Sequence, residues 1–434
     1  MKRLHEKQFA FKGGITPFFS LVFILLLALV GAMIQSASIQ SSKSIKRAEM
    51  NLALENLFAE YHKELLQDYE LFVREGNDEQ KIKERLEFYG IVNTQHEIIE
   101  STLLSDLNGQ AFYEQAVASM GGTTEIISIP AETMSEAKEN EVEVLDKFLQ
   151  EEGLELPAEN NPIAEVNQLR QSNLLSLIYP NQEQLSNRNI ELEGLASHRT
   201  LEKGVGHSKN QSEDSVKNQT LFALYLTEHF NDMLDNSQEH ALVYEVEYLL
   251  AGKSSDQENL KYVAEKILKF RIAVNYAYLF TDETRQMEAE AVALGLSTLA
   301  AAPEAASMVK QALLFAWSYG ESIVDLRSLM EGERVPIVKT SETWQLQLSN
   351  IFQLESNAEI GKEAELSDGI TYREYLKVLL FAERRETLCM RALDLLELNT
   401  GIQADGCITQ LKIQSICQLQ RGVTYTFQTN YKYK

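Results

Sequence analysis

Residues Ile15 to Ile34 read ITPFFSLVFILLLALVGAMI, twenty residues without one charge. Wound into an α-helix, such a run is about 30 Å long, the hydrocarbon thickness of a bilayer. A signal-peptide apolar region is usually about 7–15 residues and ends at a small-residue cleavage site. The length therefore favours a retained anchor over a buried core helix or a removed signal. Ser36 and Ser38, at the −3 and −1 positions of a cleavage site, keep removal open as the alternative. The expected plan is one membrane helix carrying a large body.

Charge gives the expected orientation. The N-terminal tail carries Lys2, Arg3, Lys7 and Lys12 against Glu6, and the other flank carries Lys43, Lys46 and Arg47. By the positive-inside rule this is a modest bias toward a cytoplasmic tail and an extracytoplasmic body. Residues 1–47 hold 7 basic and 1 acidic residue, and the remainder 33 basic and 63 acidic. A body with a net charge of −30 has no footprint for nucleic acid, whose phosphates it would repel.

The organisation is read as a cytoplasmic basic tail (1–14), a transmembrane helix (15–34) and an amphipathic stalk helix (35–75). Then come a first part of the body (76–150), a flexible polar insertion (151–218) and a helical body with C-terminal strands (219–434). The stalk rests on Met50, Leu54, Leu57, Phe58, Tyr61, Leu65, Tyr69 and Phe72, spaced by three and four, with no proline or glycine between Ala32 and Glu75. One helix from Ile15 to Glu75 would be roughly 90 Å long. Its stripe needs a cover, either the body itself or a neighbouring helix. Asn108-Gly109 signals a turn before a helix, and TTEIISIP, ending at Pro130, reads as a short strand. Pro157, Pro162 and Pro180, with many polar residues and weak periodicity, set the insertion apart.

Beyond Gln219 the pattern is ordered. ALVYEVEYLLAG alternates as a strand does, with helix as the competing reading. Ser255 with Glu258, and Thr371 with Glu374, have the spacing of capping boxes. Pro303 suits a helix first turn, GERVPIVKT a turn and short strand, and Arg421-Gly422 the turn of a C-terminal β-hairpin. The fold class is thus α+β, predominantly α-helical.

Chemistry is sparse. The sequence has no phosphate-binding loop, zinc-helix or nucleophile-elbow motif, and no cofactor or metal is expected. His229 and His240, with Asp232 between them, lack a ligand spacing. Cys389, Cys407 and Cys417 are an odd count, and whether Cys407 and Cys417 pair is left open. Glu321 and Asp325 are four apart, so they share a helical face, with Arg327 nearby. Paired carboxylates can serve acid–base chemistry when burial splits their pKa values. The competing reading is a charged edge beside Trp317.

The N-terminal segment GGITPFFSLVFILLLALVGAMIQSASIQSSKSIKRAEMNLALENLFAEYHKELLQDYELF resembles TadE/TadG-like membrane-anchored proteins associated with Tad/Flp (type IVc) pilus gene clusters of monoderm bacteria. YEVEYLLAGKSSDQENL, AWSYGESIVDLRSLMEGERVPIVKT and YREYLKVLLFAERRETLCMRALDLLELN are similar to the same group. The resemblance implies an exported, non-enzymatic pseudopilin-like or accessory assembly component. It also implies a prepilin-type junction at Gly14 and Ile15 and lateral partners of pilin type. Type IV prepilins usually carry glutamate at the fifth mature position, where this chain has Phe19. That departure implies an unprocessed accessory or tip-priming component instead. Ala28, Gly31, Ala32 and Ser36 supply small residues on which helices can approach within lipid. Expected partners are therefore membrane lipid and other pilin-like or pilus-assembly proteins. The alternative is a signal-anchored extracytoplasmic cell-wall enzyme or surface-binding protein.

Overall fold

The computed structural model describes residues 15–122, 162–179, 185–206, 215–236, 239–354 and 369–433. Gly14, the TTEIISIP stretch and parts of the 76–150 and 151–218 regions lie outside the described residues. Helix α1 (Ile15–Phe58) is one unbroken helix, and it is long and apolar enough to cross a membrane. None of its described side chains from Ile15 to Ser38 is buried. Ala28, Gly31, Ala32 and Ser36 are all exposed there.

The expected 61-residue rod is a 44-residue helix. It stops because tertiary contacts override a locally helical sequence. The Tyr433 hydroxyl takes the Phe58 carbonyl, and Phe58 stacks on Tyr431 at 4.5 Å. Glu60, two residues on, receives Arg85 at 2.5 Å. The stripe then splits. Met50, Leu54, Leu57 and Phe58 cover a sheet, whereas Leu65 and Tyr69 turn into the main helical core on the short α2 (Lys63–Tyr69). The body is thus the cover for the stalk stripe.

The sheet is antiparallel around β3 (Cys407–Gln418). On it pair β2 (Thr94–Leu103), from Thr94↔Cys417 to Leu103↔Ile408, and β4 (Thr424–Lys432), from Gln410↔Lys432 to Gln418↔Thr424. The two-residue β1 (Arg74–Glu75) joins at Ile408 and Cys407. The expected C-terminal hairpin is β3–β4, closed at its turn by Leu419 N–H donating to the Val423 carbonyl at 2.8 Å. Period-two alternation sends Leu411, Ile413 and Cys417 toward α1, together with Phe427 of β4, and α3 (Glu79–Phe88) adds Ile82 and Leu86. Cys407 and Cys417 cap opposite ends of β3. Ten residues of strand is about 33 Å, so they do not pair, and all three cysteines are buried thiols.

The remaining elements form the helical body. They are α4 (Asp106–Ser119), α5 (Pro162–Gln171), α6 (Leu174–Ile178), α7 (Val216–His229), α8 (Glu245–Ala251) and α9 (Asp256–Leu279). After these come α10 (Glu283–Leu299), α11 (Ala306–Met330), α12 (Tyr372–Ala382) and α13 (Arg385–Thr400). The described part of the 151–218 segment is not a loose insertion. Val166, Leu169, Leu174, Leu175, Leu177 and Ile178 are buried in the main core. Their apolar spacing is short and broken by a turn capped by Asn173, which is why the periodicity looked weak.

Residues Glu245–Ala251 are helical, not a strand. All seven are buried, so the alternation carries no inside–outside information. Gly252 ends the helix at φ +65°, in the left-handed region that favours glycine. The GERVPIVKT stretch contributes one isolated bridge, Val335↔Ile370, not a strand. The capping box at Thr371 and Glu374 is complete, and at Ser255 the hydroxyl accepts from the Glu258 N–H.

Candidate functional site

Helix α11 runs through the centre of the body, buried from Ala312 to Met330. Glu321 and Asp325 lie on one face of it, as their spacing requires, and both are completely enclosed. Two cations that sequence reasoning missed complete the cluster. Lys339, from the loop after α11, places its Nζ 2.7 Å from Glu321 Oε1 and 2.6 Å from Asp325 Oδ1. Arg271 of α9 brings Nε and Nη2 to 2.9 and 2.8 Å from Asp325 Oδ2.

The remaining valences are filled as well. Leu346 N–H donates to Glu321 Oε2 at 2.7 Å and Gln345 N–H to Oε1 at 3.0 Å. Asn275 Nδ2 donates to Asp325 Oδ2 at 2.8 Å, and Arg271 Nη1 to the Pro336 and Ile337 carbonyls at 2.8 and 3.0 Å. Two carboxylates and two cations leave no net charge. Burial and the facing Asp325 raise the Glu321 carboxyl above its ordinary value, with Lys339 opposing. Burial also pushes at Asp325, but Arg271 and Lys339 outweigh it and hold that carboxyl low. The two acids are therefore split as an acid–base pair would be. Both, however, are sealed by their partners, so the arrangement fastens α9, α11 and the 336–346 loop together.

Arg327 does not join this cluster. Two residues from Asp325 on a helix, it points elsewhere. Its Nε donates to the Leu177 carbonyl at 2.7 Å and its Nη2 to Leu354 O at 2.5 Å. It ties α6 and the 348–354 turn to α11. Arg271 had left a trace in the sequence: Val263, Ile267, Arg271 and Asn275 recur every four residues, a cation on a buried face. Lys339, a cation after VPIV, left only a faint one.

A second buried acidic group surrounds the start of α8. Glu245 accepts from Asn231 N–H and Asn399 Nδ2 at 2.9 and 2.7 Å, with His240 Nδ1 at 2.9 Å. Glu247 Oε1 accepts from Tyr372 Oη at 2.7 Å, while its Oε2, also buried, has no hydrogen-bond partner among the described residues. Burial and the nearby Asp232 charge push Glu247 up to about 8, so it is held neutral at pH 7. Asp232 is paired with Arg373 at 2.8 Å. His229 is elsewhere, its Nδ1 2.9 Å from the Asp68 carbonyl. Among the described residues no three His, Cys, Asp or Glu side chains converge as a metal site.

An open cleft of about 300 Å³ lies between α4 and the sheet, lined by Glu100, Thr102, Asp106, Gln110, Glu114 and Lys432 among others. Its rim is a left-handed turn, with Leu107, Asn108 and Gly109 at φ +52°, +58° and +80°. A Cβ on Gly109 would lie 2.9 Å from that of Cys389. The Asn-Gly turn signal is thus real, and glycine is required by the approach of α13.

Fold and clusters define a mainly helical body with closed internal polar fastenings and an N-terminal helix able to span a membrane. The chain belongs to the Family of unknown function (DUF5702), which it matches over residues 152–419. That range holds both buried acidic groups but leaves out α1, β2 and β4. No curated protein and no solved structure matches the chain.

Proposed function

We propose that this protein is a non-enzymatic, single-span component of a Tad/Flp-type pilus assembly system, pseudopilin-like or accessory, with its tail cytoplasmic and its body extracytoplasmic. The observation that supports the reading is the division of labour along α1. Ile15 to Ile34 carry no charge and none of the described side chains from Ile15 to Ser38 is buried, while Met50, Leu54, Leu57 and Phe58 are locked onto the sheet of the body. A subunit built this way holds lateral surface free within lipid and transmits its position rigidly to a head. The body's most buried carboxylates are engaged in fastening.

The first test is the N-terminus of the protein extracted from native membranes, read by intact mass. A start at Ile15 marks cleavage after Gly14 and a pseudopilin. A start at Met1 marks a permanent anchor and an accessory factor. A deletion strain should lose surface filaments, and normal piliation would overturn the proposal.

A further inference from the structure

The β3–β4 hairpin points toward the apolar end of α1. Phe58 meets Tyr431 and Tyr433, whereas fifteen residues lower Lys43 lies over the ring of Tyr425, 5.2 Å from its centroid. Lower still, Ile39 packs in the same cluster as Leu419 and Val423, which flank the hairpin turn. Ile39 is five residues beyond Ile34, an axial distance of about 8 Å. That is the depth of the headgroup layer outside a bilayer's hydrocarbon core. With α1 across a membrane, the hairpin turn therefore stands among lipid headgroups.

The chemistry at this level is opposite to that of the body. No Asp or Glu falls within 35–48 or 416–425, although the chain carries 64 acidic residues. Arg47 is exposed and its Nη2 donates to the Tyr425 hydroxyl at 3.0 Å. Among the described residues neither Lys43 nor Arg47 has a carboxylate partner, while Lys46 is paired with Glu49 at 2.8 Å. With α1 across a membrane, two cations without a carboxylate partner among the described residues stand around one tyrosine at headgroup height, on a body whose charge is otherwise repelled by an anionic surface.

We propose that Lys43, Arg47 and Tyr425 form a collar that binds anionic phospholipid headgroups and so seats the hairpin on the bilayer. The proposal rests on α1 spanning the membrane, as in the proposed function. Each cation at an anionic surface is worth roughly fivefold in binding, and such attraction is screened by salt.

The test is hydrogen exchange on the full-length protein in nanodiscs of phosphatidylcholine, with and without phosphatidylglycerol. The expected result is at least about fivefold slower exchange across 416–425 in the anionic discs. High salt and the double variant Lys43→Glu/Arg47→Glu should abolish the difference. Unchanged exchange across 306–330 would establish that the variant is folded, and Lys43→Gln/Arg47→Gln serves in its place if it is not. Equal exchange in both kinds of disc overturns the collar and leaves the anchor standing. A difference that survives in the folded variant overturns the assignment to these residues. Failure of the wild-type chain to load into discs overturns the anchor and the collar together.

Discussion

The two larger cores among the described residues solve the same problem differently. Under α1, the sheet core is filled by Met50, Leu54, Leu57, Phe58, Leu411, Ile413 and Phe427, and its ion pairs, such as Glu60 with Arg85, stand at the rim. Within the helical body, Glu321, Asp325, Lys339 and Arg271 lie inside, at most 1 % exposed. Apolar packing is forgiving, since any shape of about the right volume fills the space. A buried ion network tolerates only one geometry, because removing a partner strands a charge in a medium that cannot solvate it. The sheet core gains adhesion for a long lever, and the helical core gains a fixed relation between α9, α11 and the loop after it.

The comparison is sharpest at Lys339. Lys339→Met should destabilise by about 3–5 kcal/mol, since Glu321 and Asp325 then face each other without a common cation. Denaturant unfolding of the full-length protein in detergent measures it. Replacing Glu321 and Lys339 together, as Glu321→Gln/Lys339→Met, should cost less than Lys339→Met alone. A strictly additive cycle would erase the distinction between the two cores.

In the sheet core Leu57→Ala should cost about 3 kcal/mol through the cavity it leaves. The same unfolding assay checks it, and no rescue by a second substitution across the cavity's polar rim is expected.

The helical core should also show a pH signature. Glu247 titrates near 8 in the fold, against an ordinary carboxyl value of 4.5. A raised folded value means its contribution is full below about 4.5 and is lost as pH rises toward 8. Stability should therefore fall across that window by roughly 2 kcal/mol or more. Glu247→Gln should flatten the decline, and an unchanged slope in urea titrations at pH 5 to 8 would discard the assignment.

Smaller still, Gly109→Ala should cost about 1–2 kcal/mol, from a left-handed φ and contact with Cys389. Thr371→Ala, which opens the capping box, should cost about 1 kcal/mol. Thermal unfolding resolves both.

Much of this fold is legible in the residues, for local reasons. The span is a composition signal, the Thr371 box and the Arg421-Gly422 hairpin are short-range hydrogen-bond patterns, and Glu321 with Asp325 is helix geometry. What the residues conceal is long-range. Lys339 is 18 positions from Glu321 and Arg271 is 54 from Asp325, so no spacing announces them. The stalk stripe reads as continuous because its periodicity never breaks, and the contacts at the end of the helix come from far along the chain, Tyr433 being 375 residues from Phe58. Residues 162–178 look like linker because short buried helices show too few turns to establish a period.

Because α1 is unbroken from Ile15 to Phe58 and its upper end is clamped to the sheet, it is a lever about 66 Å long. Membrane helices commonly lean by about 20°, and a lean of that size carries the clamped end sideways by about 20 Å. With α1 across a bilayer, as proposed, a thinner or thicker hydrocarbon layer would bias that lean and so where the body reaches.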